Sequence, residues 1–181
     1  MDHAAIGEII SFWRDAGPDK WFEADADFDR TIRSRFLSIH EAAARGDIAA
    51  WEETAHGALA LAILLDQFPR NMFRGSARAF ATDPLARAVA HRALARGFDQ
   101  ETDPTMRPFF YLPFMHSETL ADQDRCLRLH EAFGDPARIK FAVTHRDIIA
   151  KFGRFPHRNR ALGRDTTSAE REFLDGGGFA G

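Results

Sequence analysis

The chain has 181 residues, 45% of them hydrophobic and 28% charged, with a formal net charge of −3. That length fits one domain, 1–181, at roughly 100–200 residues per domain, and it can bury a core without a disulfide or metal staple. The composition is too apolar for intrinsic disorder and lacks the basic excess that nucleic acid asks for.

Helical punctuation runs almost throughout. Asp2 is placed to cap a first helix whose Ile6, Ile9, Ile10 and Trp13 share one face, and Gly17-Pro18 stops it. Phe28, Ile32, Phe36, Ile39 and Ala43 form the stripe of a second helix, which Gly46 ends. Asp47 then caps a third, Ile48 to Gln67, that becomes apolar on every side from Ala58 to Leu65. A helix of that kind is central, packed by neighbours all round. Phe68-Pro69 ends it. Ser76 precedes a short helix, and Asp83-Pro84 supplies the N-cap and first position of a longer one closed by Gly97. Three prolines among aromatics predict broken helical turns over 104–116. Ser117 starts a helix that Gly134 ends, and Asp135-Pro136 starts another that runs to Phe152. Thr167-Ser168-Ala169-Glu170 reads as the capping box of a last short helix. No alternating β-branched run and no glycine-rich phosphate loop occurs. The fold class is all-α, with antiparallel helix pairs around one buried central helix.

Cys126 is the sole cysteine, which excludes an intramolecular disulfide and a cysteine-based zinc site. The longest apolar run, Ala58 to Leu65, has eight residues, whereas a membrane span needs roughly 18. No basic leader precedes the first helix. A cytoplasmic protein without a membrane partner is expected. Charge is unevenly spread: residues 1–29 hold eight acids and two bases, and 151–164 hold five bases and no acid. Of the 24 basic residues, 21 are arginine.

Helical wheels place several charged residues on apolar faces. On the helix from Pro136, His145 falls between Phe152 and Ile149, and Arg146 between Ala142 and Ile139. On the preceding helix Asp122 is flanked by Cys126, Leu129 and Phe133, with Glu118 four residues earlier on the same face. A buried charge needs a partner, so these residues predict a polar cluster. Asp66, in the last turn of the central helix, opposes the macrodipole and calls for a cation such as Arg70 or Arg154. The cluster reads either as a structural network tying helix ends together or as a pocket with shifted pKa values.

Other readings of the same residues are weaker. His116, Ser117, Glu118, Asp122 and His145 match no zinc spacing, which leaves only an oxygen-rich magnesium or manganese site; no metal and no cofactor is expected. Ser117 stands where an N-cap serine stands, so capping takes precedence over a nucleophile. Arginines 154, 158, 160 and 164 suit carboxylate or phosphate groups, or pair internally with the acidic N-terminal segment. RNA binding through 151–164 ranks last. One phrase echoes: Gln67-Phe68-Pro69-Arg70-Asn71 returns as Phe155-Pro156-His157-Arg158-Asn159 after Arg154.

The phrases LALAILLDQFPRNMFRGSARAFATDPLA (59–86), PFFYLPFMHSETLADQ (108–123) and HRDIIAKFGRFPHRNRALGRDTTSAEREFL (145–174) closely resemble the bacterial family called domain of unknown function nine-two-four. With SFWRDAGPDKWF near the N-terminus, the resemblance covers nearly the whole chain. It implies a fold similar to tetratricopeptide-repeat proteins, and it implies no activity. The matching blocks contain Asp66, Gln67, Arg70, Asn71, His116, Ser117, Glu118, Asp122, Gln123, His145, Arg154, His157, Arg158 and Asn159. Two functions follow as expectations. The first is a pocket for a small anionic ligand, bound by Asp66, Gln67, Arg70, Asn71, Arg154, His157, Arg158 and Asn159. Its acid–base candidates are His145, His116, Glu118 and Asp122. The second is a helical-stack module for a protein partner, its polar cluster purely structural.

Overall fold

A computed structural model describes residues 3–179, and all secondary structure among them is helical, with no strand. Asp2, the expected first cap, lies outside the described residues. In chain order the α-helices are α1 (His3–Ala16), α2 (Pro18–Trp21), α3 (Ala26–Arg45), α4 (Ala55–Ala62), α5 (Phe68–Met72) and α6 (Asp83–Ala95). There follow α7 (Phe98–Glu101), α8 (Leu112–Met115), α9 (Leu120–Phe133), α10 (Pro136–Phe152), α11 (Asn159–Leu162) and α12 (Ser168–Asp175). The chain forms two compact units, Met1–Arg74 with Arg78–Pro113, and Gly75–Ala77 with Phe114–Gly181.

In the first unit α1 buries the four residues its pattern predicts, Ile6, Ile9, Ile10 and Trp13. On α3, Ile32, Phe36 and Ala43 point inward, together with His40 where the pattern predicts Ile39. The central helix is as expected: α4 packs against α1, α6 and α7, and every residue from Gly57 to Pro69 is buried. Trp13 meets Phe68 and Phe109 edge-on, with ring centroids 5.6 and 5.8 Å apart.

The ends of that helix differ from expectation. Asp47 does not start it. A 3-10 turn, Ala49–Glu53, comes first, and Thr54 caps α4 by accepting the Gly57 N–H. Gly57 permits this approach, because a Cβ there would stand 2.0 Å from the Trp51 carbonyl oxygen. Nor does Phe68-Pro69 end the helix: Ile63–Gln67 is a π-helical turn, and the chain continues through α5. The Phe68 N–H reaches back five residues to the Ile63 carbonyl, and Pro69 has no N–H. The Leu64 and Leu65 carbonyls thereby lose their helical donors. Two buried side chains replace them, His40 through Nδ1 to Leu64 O at 2.9 Å and Thr82 through Oγ1 to Leu65 O at 2.6 Å. A carbonyl only accepts, so His40 carries its proton on Nδ1. Thr82 is also the N-cap residue of α6, which moves Asp83 and Pro84 one position into the helix.

In the second unit Gly134 and Gly153, at φ 82° and 69°, end α9 and α10. Asp135 caps α10 by accepting from Ala137 and Arg138, and the short link makes α9 and α10 an antiparallel, packed pair. Thr167 and Glu170 complete the capping box of α12. The start and face of α9 differ from expectation. Thr119 is its N-cap, and Gln123, Cys126 and His130 point inward; of the face expected from the wheel, Cys126 is buried, and Asp122, Leu129 and Phe133 are half-buried. Ser117 lies ahead of the helix, where its hydroxyl donates to Asp122 Oδ2 at 2.6 Å and accepts the Thr119 N–H at 3.2 Å.

Candidate functional site

In the first unit the π-helical turn delivers Asp66 into the interior. Its carboxylate accepts from Gln67 Nε2 at 2.5 Å and faces Arg70 Nη1 at 3.4 Å. Arg70 also forks Asp83, with Nη1–Oδ1 at 2.9 Å and Nη2–Oδ2 at 3.1 Å, and donates to the Asp66 carbonyl at 2.5 Å. Burial works to lower the Arg70 pKa, but Asp66 and Asp83 outweigh it and hold the guanidinium firmly charged. Asn71 donates to Asp29 Oδ1 at 2.8 Å, and Arg74 forks the same carboxylate.

The second unit repeats that last device. Arg154 forks Glu170 at 2.6 and 2.8 Å, and Asn159 donates to Glu170 Oε2 at 3.3 Å. The Arg154 hydrogen bond leads the causes that pull Glu170 down to about 2. In each copy of the echoed phrase, the asparagine thus supports a carboxylate already gripped by an arginine. The acids of the N-terminal segment that form ion pairs with the rest of the first unit take arginines there, Glu8 with Arg35 and Asp29 with Arg74. The expected pairing of the basic run with that segment is therefore corrected for Arg154 and Arg164, which find Glu170 and Glu118 in their own unit.

Glu118, half-buried, accepts from both ends of the Arg164 fork at 2.7 and 3.0 Å and from the Phe155 N–H at 2.8 Å. Burial works to raise its pKa, and Arg164 together with that backbone N–H brings it below the ordinary carboxylate value. Beside it, the Arg158 guanidinium lies over the Phe155 ring, 4.5 Å from the centroid. Around His157 stand Arg158, His145, His116 and Glu118. Burial first, and Arg158 second, hold it down to about 3. Its Nδ1 is buried and makes no hydrogen bond. His145 is buried on α10 as the wheel predicts, with Nδ1 donating to Phe141 O at 2.8 Å. The structure thus brings His116, Glu118, His145, His157 and Arg158 into one neighbourhood of the second unit. Asp122, Arg154 and Asn159 serve contacts within that unit; Asp66, Gln67, Arg70 and Asn71 belong to the first.

Arg146 lies at the edge of its helix pair, 36% exposed, and binds Asp124 at 2.6 Å, so it is less buried than the wheel implies. His40 and His130 carry no signal in the sequence that marks them, whereas Gln123 lies in the blocks that carry the family resemblance. Gln123 donates to the carbonyls of Met115 and Ser117 at 2.7 and 2.6 Å, and so fixes the turn that carries His116. Among the described residues no three His, Cys, Asp or Glu side chains are arranged to hold a metal ion, and no helix is long and apolar enough to cross a membrane.

The sequence pattern of a family described as bacterial protein of unknown function (DUF924) matches residues 9–178. A solved structure of a protein of unknown function from Agrobacterium tumefaciens is 50% identical and covers 96% of this chain and 98% of its own, with a TM-score of 0.92. No curated protein matches.

Proposed function

The chain belongs to the DUF924 family of bacterial proteins, and from that premise we propose that it binds a small carboxylate- or phosphate-bearing ligand at the histidine–arginine cluster of its second unit. One observation carries the reading. Three imidazoles and a buried guanidinium share a neighbourhood in which His157 Nδ1 is buried, beside a Glu118 that Arg164 and a backbone N–H already hold. A buried guanidinium flanked by imidazole N–H groups offers an anion one charge-assisted contact and several neutral donors. His157 Nδ1 lacks a hydrogen-bond partner, and an incoming oxygen can supply one. The same oxygen would draw a proton onto His157, so binding takes up hydrogen ions below neutral pH. Cytoplasmic location belongs to this proposal, supported by the single, buried Cys126.

Calorimetric titration with inorganic phosphate and with acetate tests it. Heat that varies with buffer ionisation, and an affinity at least tenfold weaker in Arg158→Gln and His157→Gln than in wild type, is the expected result. Equal affinity in wild type and both variants refutes the site. A second reading, a tetratricopeptide-repeat-like module for a protein partner, draws support from a groove of about 380 Å3 beside α1 and α3. Phe12 and Phe28 wall it, and Glu8, Asp15 and Arg35 rim it. Under that reading Phe12→Asp abolishes partner capture and leaves phosphate titrations unchanged.

A further inference from the structure

Four aromatic rings in the second unit close into a circle that alternates imidazole and phenyl. His145 meets Phe155 at 5.6 Å between centroids, and Phe155 meets His157 at 5.5 Å. His157 then meets Phe179 at 5.2 Å, and Phe179 returns to His145 at 4.5 Å. Three of these rings stand on α10 and the Phe155–Arg158 turn that follows it. Phe179 comes from elsewhere, carried in by the segment Gly176–Gly178 after α12. That segment is fitted closely. Gly177 takes φ 79°, and a Cβ on Gly178 would stand 2.5 Å from Phe173 O and 2.6 Å from its ring. The closest pair in the circle is thus made by the one ring that arrives from beyond α12, where it packs against the cluster of Ile148, Ile149 and Phe155.

We propose that Phe179 occupies a slot for the aromatic ring of the ligand, so that the anion bound at this cluster is an aryl carboxylate or aryl phosphate. The inference rests on the anion reading above and names the class of ligand for the same site. With Phe179 withdrawn, His145 and His157 wall the slot and Phe155 forms its third side. Offset or edge-on aromatic contacts with these rings hold a planar group in the manner that Phe179 is held. Arg158, stacked on Phe155 across the circle, is the guanidinium this proposal assigns to the anionic group. Phe179 then competes with the ligand: wild type binds aryl anions only as far as the ring yields its place.

The test compares phenyl phosphate with inorganic phosphate by calorimetry on wild type, Phe179→Ala and Gly178→Ala, all as full chains whose folding is verified by circular dichroism. Gly178→Ala keeps the phenyl ring but dislodges the segment that delivers it. Phenyl phosphate is expected to bind both variants at least tenfold more tightly than wild type, with inorganic phosphate unchanged within twofold. Binding of phenyl phosphate is also expected to shift the imidazole Cε1–H resonances of His145 and His157. Phenyl phosphate equally tight on wild type and both variants, with inorganic phosphate still bound, overturns this inference alone. Equal gains for both phosphates overturn it too, since Phe179 would then obstruct access without marking a ring site. Absence of inorganic phosphate binding from wild type overturns the anion reading and this inference with it.

Discussion

Thr82→Val isolates the cost of the π-helical turn. Valine keeps the shape of threonine and removes only the hydroxyl that donates to Leu65 O at 2.6 Å. Both groups are buried, Leu65 at 2% exposure and Thr82 at 6%, so water cannot take over the carbonyl. Pro69, four residues on, has no N–H to offer. A buried carbonyl left without a donor costs about 1–3 kcal/mol, and the low end of that range applies only if the turn relaxes. We therefore expect Thr82→Val to destabilise the first unit by about 2 kcal/mol. Trp13, Trp21 and Trp51 all lie in that unit, so urea unfolding followed by tryptophan fluorescence reads it directly. The control is Pro69→Ala, which restores a backbone N–H facing the orphaned carbonyls. In that background the Thr82→Val penalty is expected to fall by at least half, a coupling measurable in a double-mutant cycle. A Thr82→Val penalty that is the same with proline or alanine at 69 refutes the reasoning, because the hydroxyl would then not be substituting for a missing helical donor.

Three further outcomes follow from the packing. Burial leads the causes that hold His130 and His157 down to about 4 and about 3, so the unfolded chain, with histidines near 6.5, binds more protons in mild acid. Their contribution is complete above pH 6.5 and lost as pH falls toward the folded values. His130 alone should cost roughly 2 kcal/mol between pH 7 and pH 5, and urea titrations of His130→Leu should show that slope reduced. Gly57→Ala drives a Cβ into the Trp51 carbonyl 2.0 Å away and should cost roughly 3 kcal/mol or prevent folding; a melting temperature within a degree of wild type would contradict the contact. Arg70→Lys keeps the charge but loses the fork on Asp83, for an expected loss of roughly 2 kcal/mol, and Arg70→Leu should lose about 3–5 by stranding Asp66 and Asp83; equal losses would mean that charge alone matters.

What the sequence disclosed was local. Gly46, Gly134, the Asp135 cap and the Thr167–Glu170 box each act within a few residues, and all stand where expected. The buried central helix was legible because eight consecutive apolar residues leave it no solvent face. The continuation past Pro69 was not, since proline fits the opening of a new helical turn as readily as it ends one. The inward face of α9 was misjudged for a related reason. Gln123 and His130 are polar, and only the turn over Phe114–Ser117, whose carbonyls Gln123 satisfies, gives the former a place inside. Ion-pair partners were least legible. Glu118 and Arg164 are 46 positions apart, and no pattern of spacing joins them. The same holds for Phe179, whose position over His145 and His157 depends on how Gly178 lies against Phe173.

The π-helical turn at Ile63–Gln67 also decides which positions depend on one another. Such a turn is a helix carrying one residue more than the regular repeat accommodates. Removing one residue between Ile63 and Gln67 would rotate Asp66, Gln67 and Arg70 by about 100° relative to Ala58–Ala62, and would return the Phe68 N–H to an ordinary helical acceptor. The carbonyl after Ile63 would then face Pro69, which has no N–H, so His40 would keep its acceptor, whereas the next carbonyl would gain the Arg70 N–H and Thr82 would lose its role. The extra residue and Thr82 are therefore one device, whereas His40 answers to Pro69 whether the extra residue is present or not.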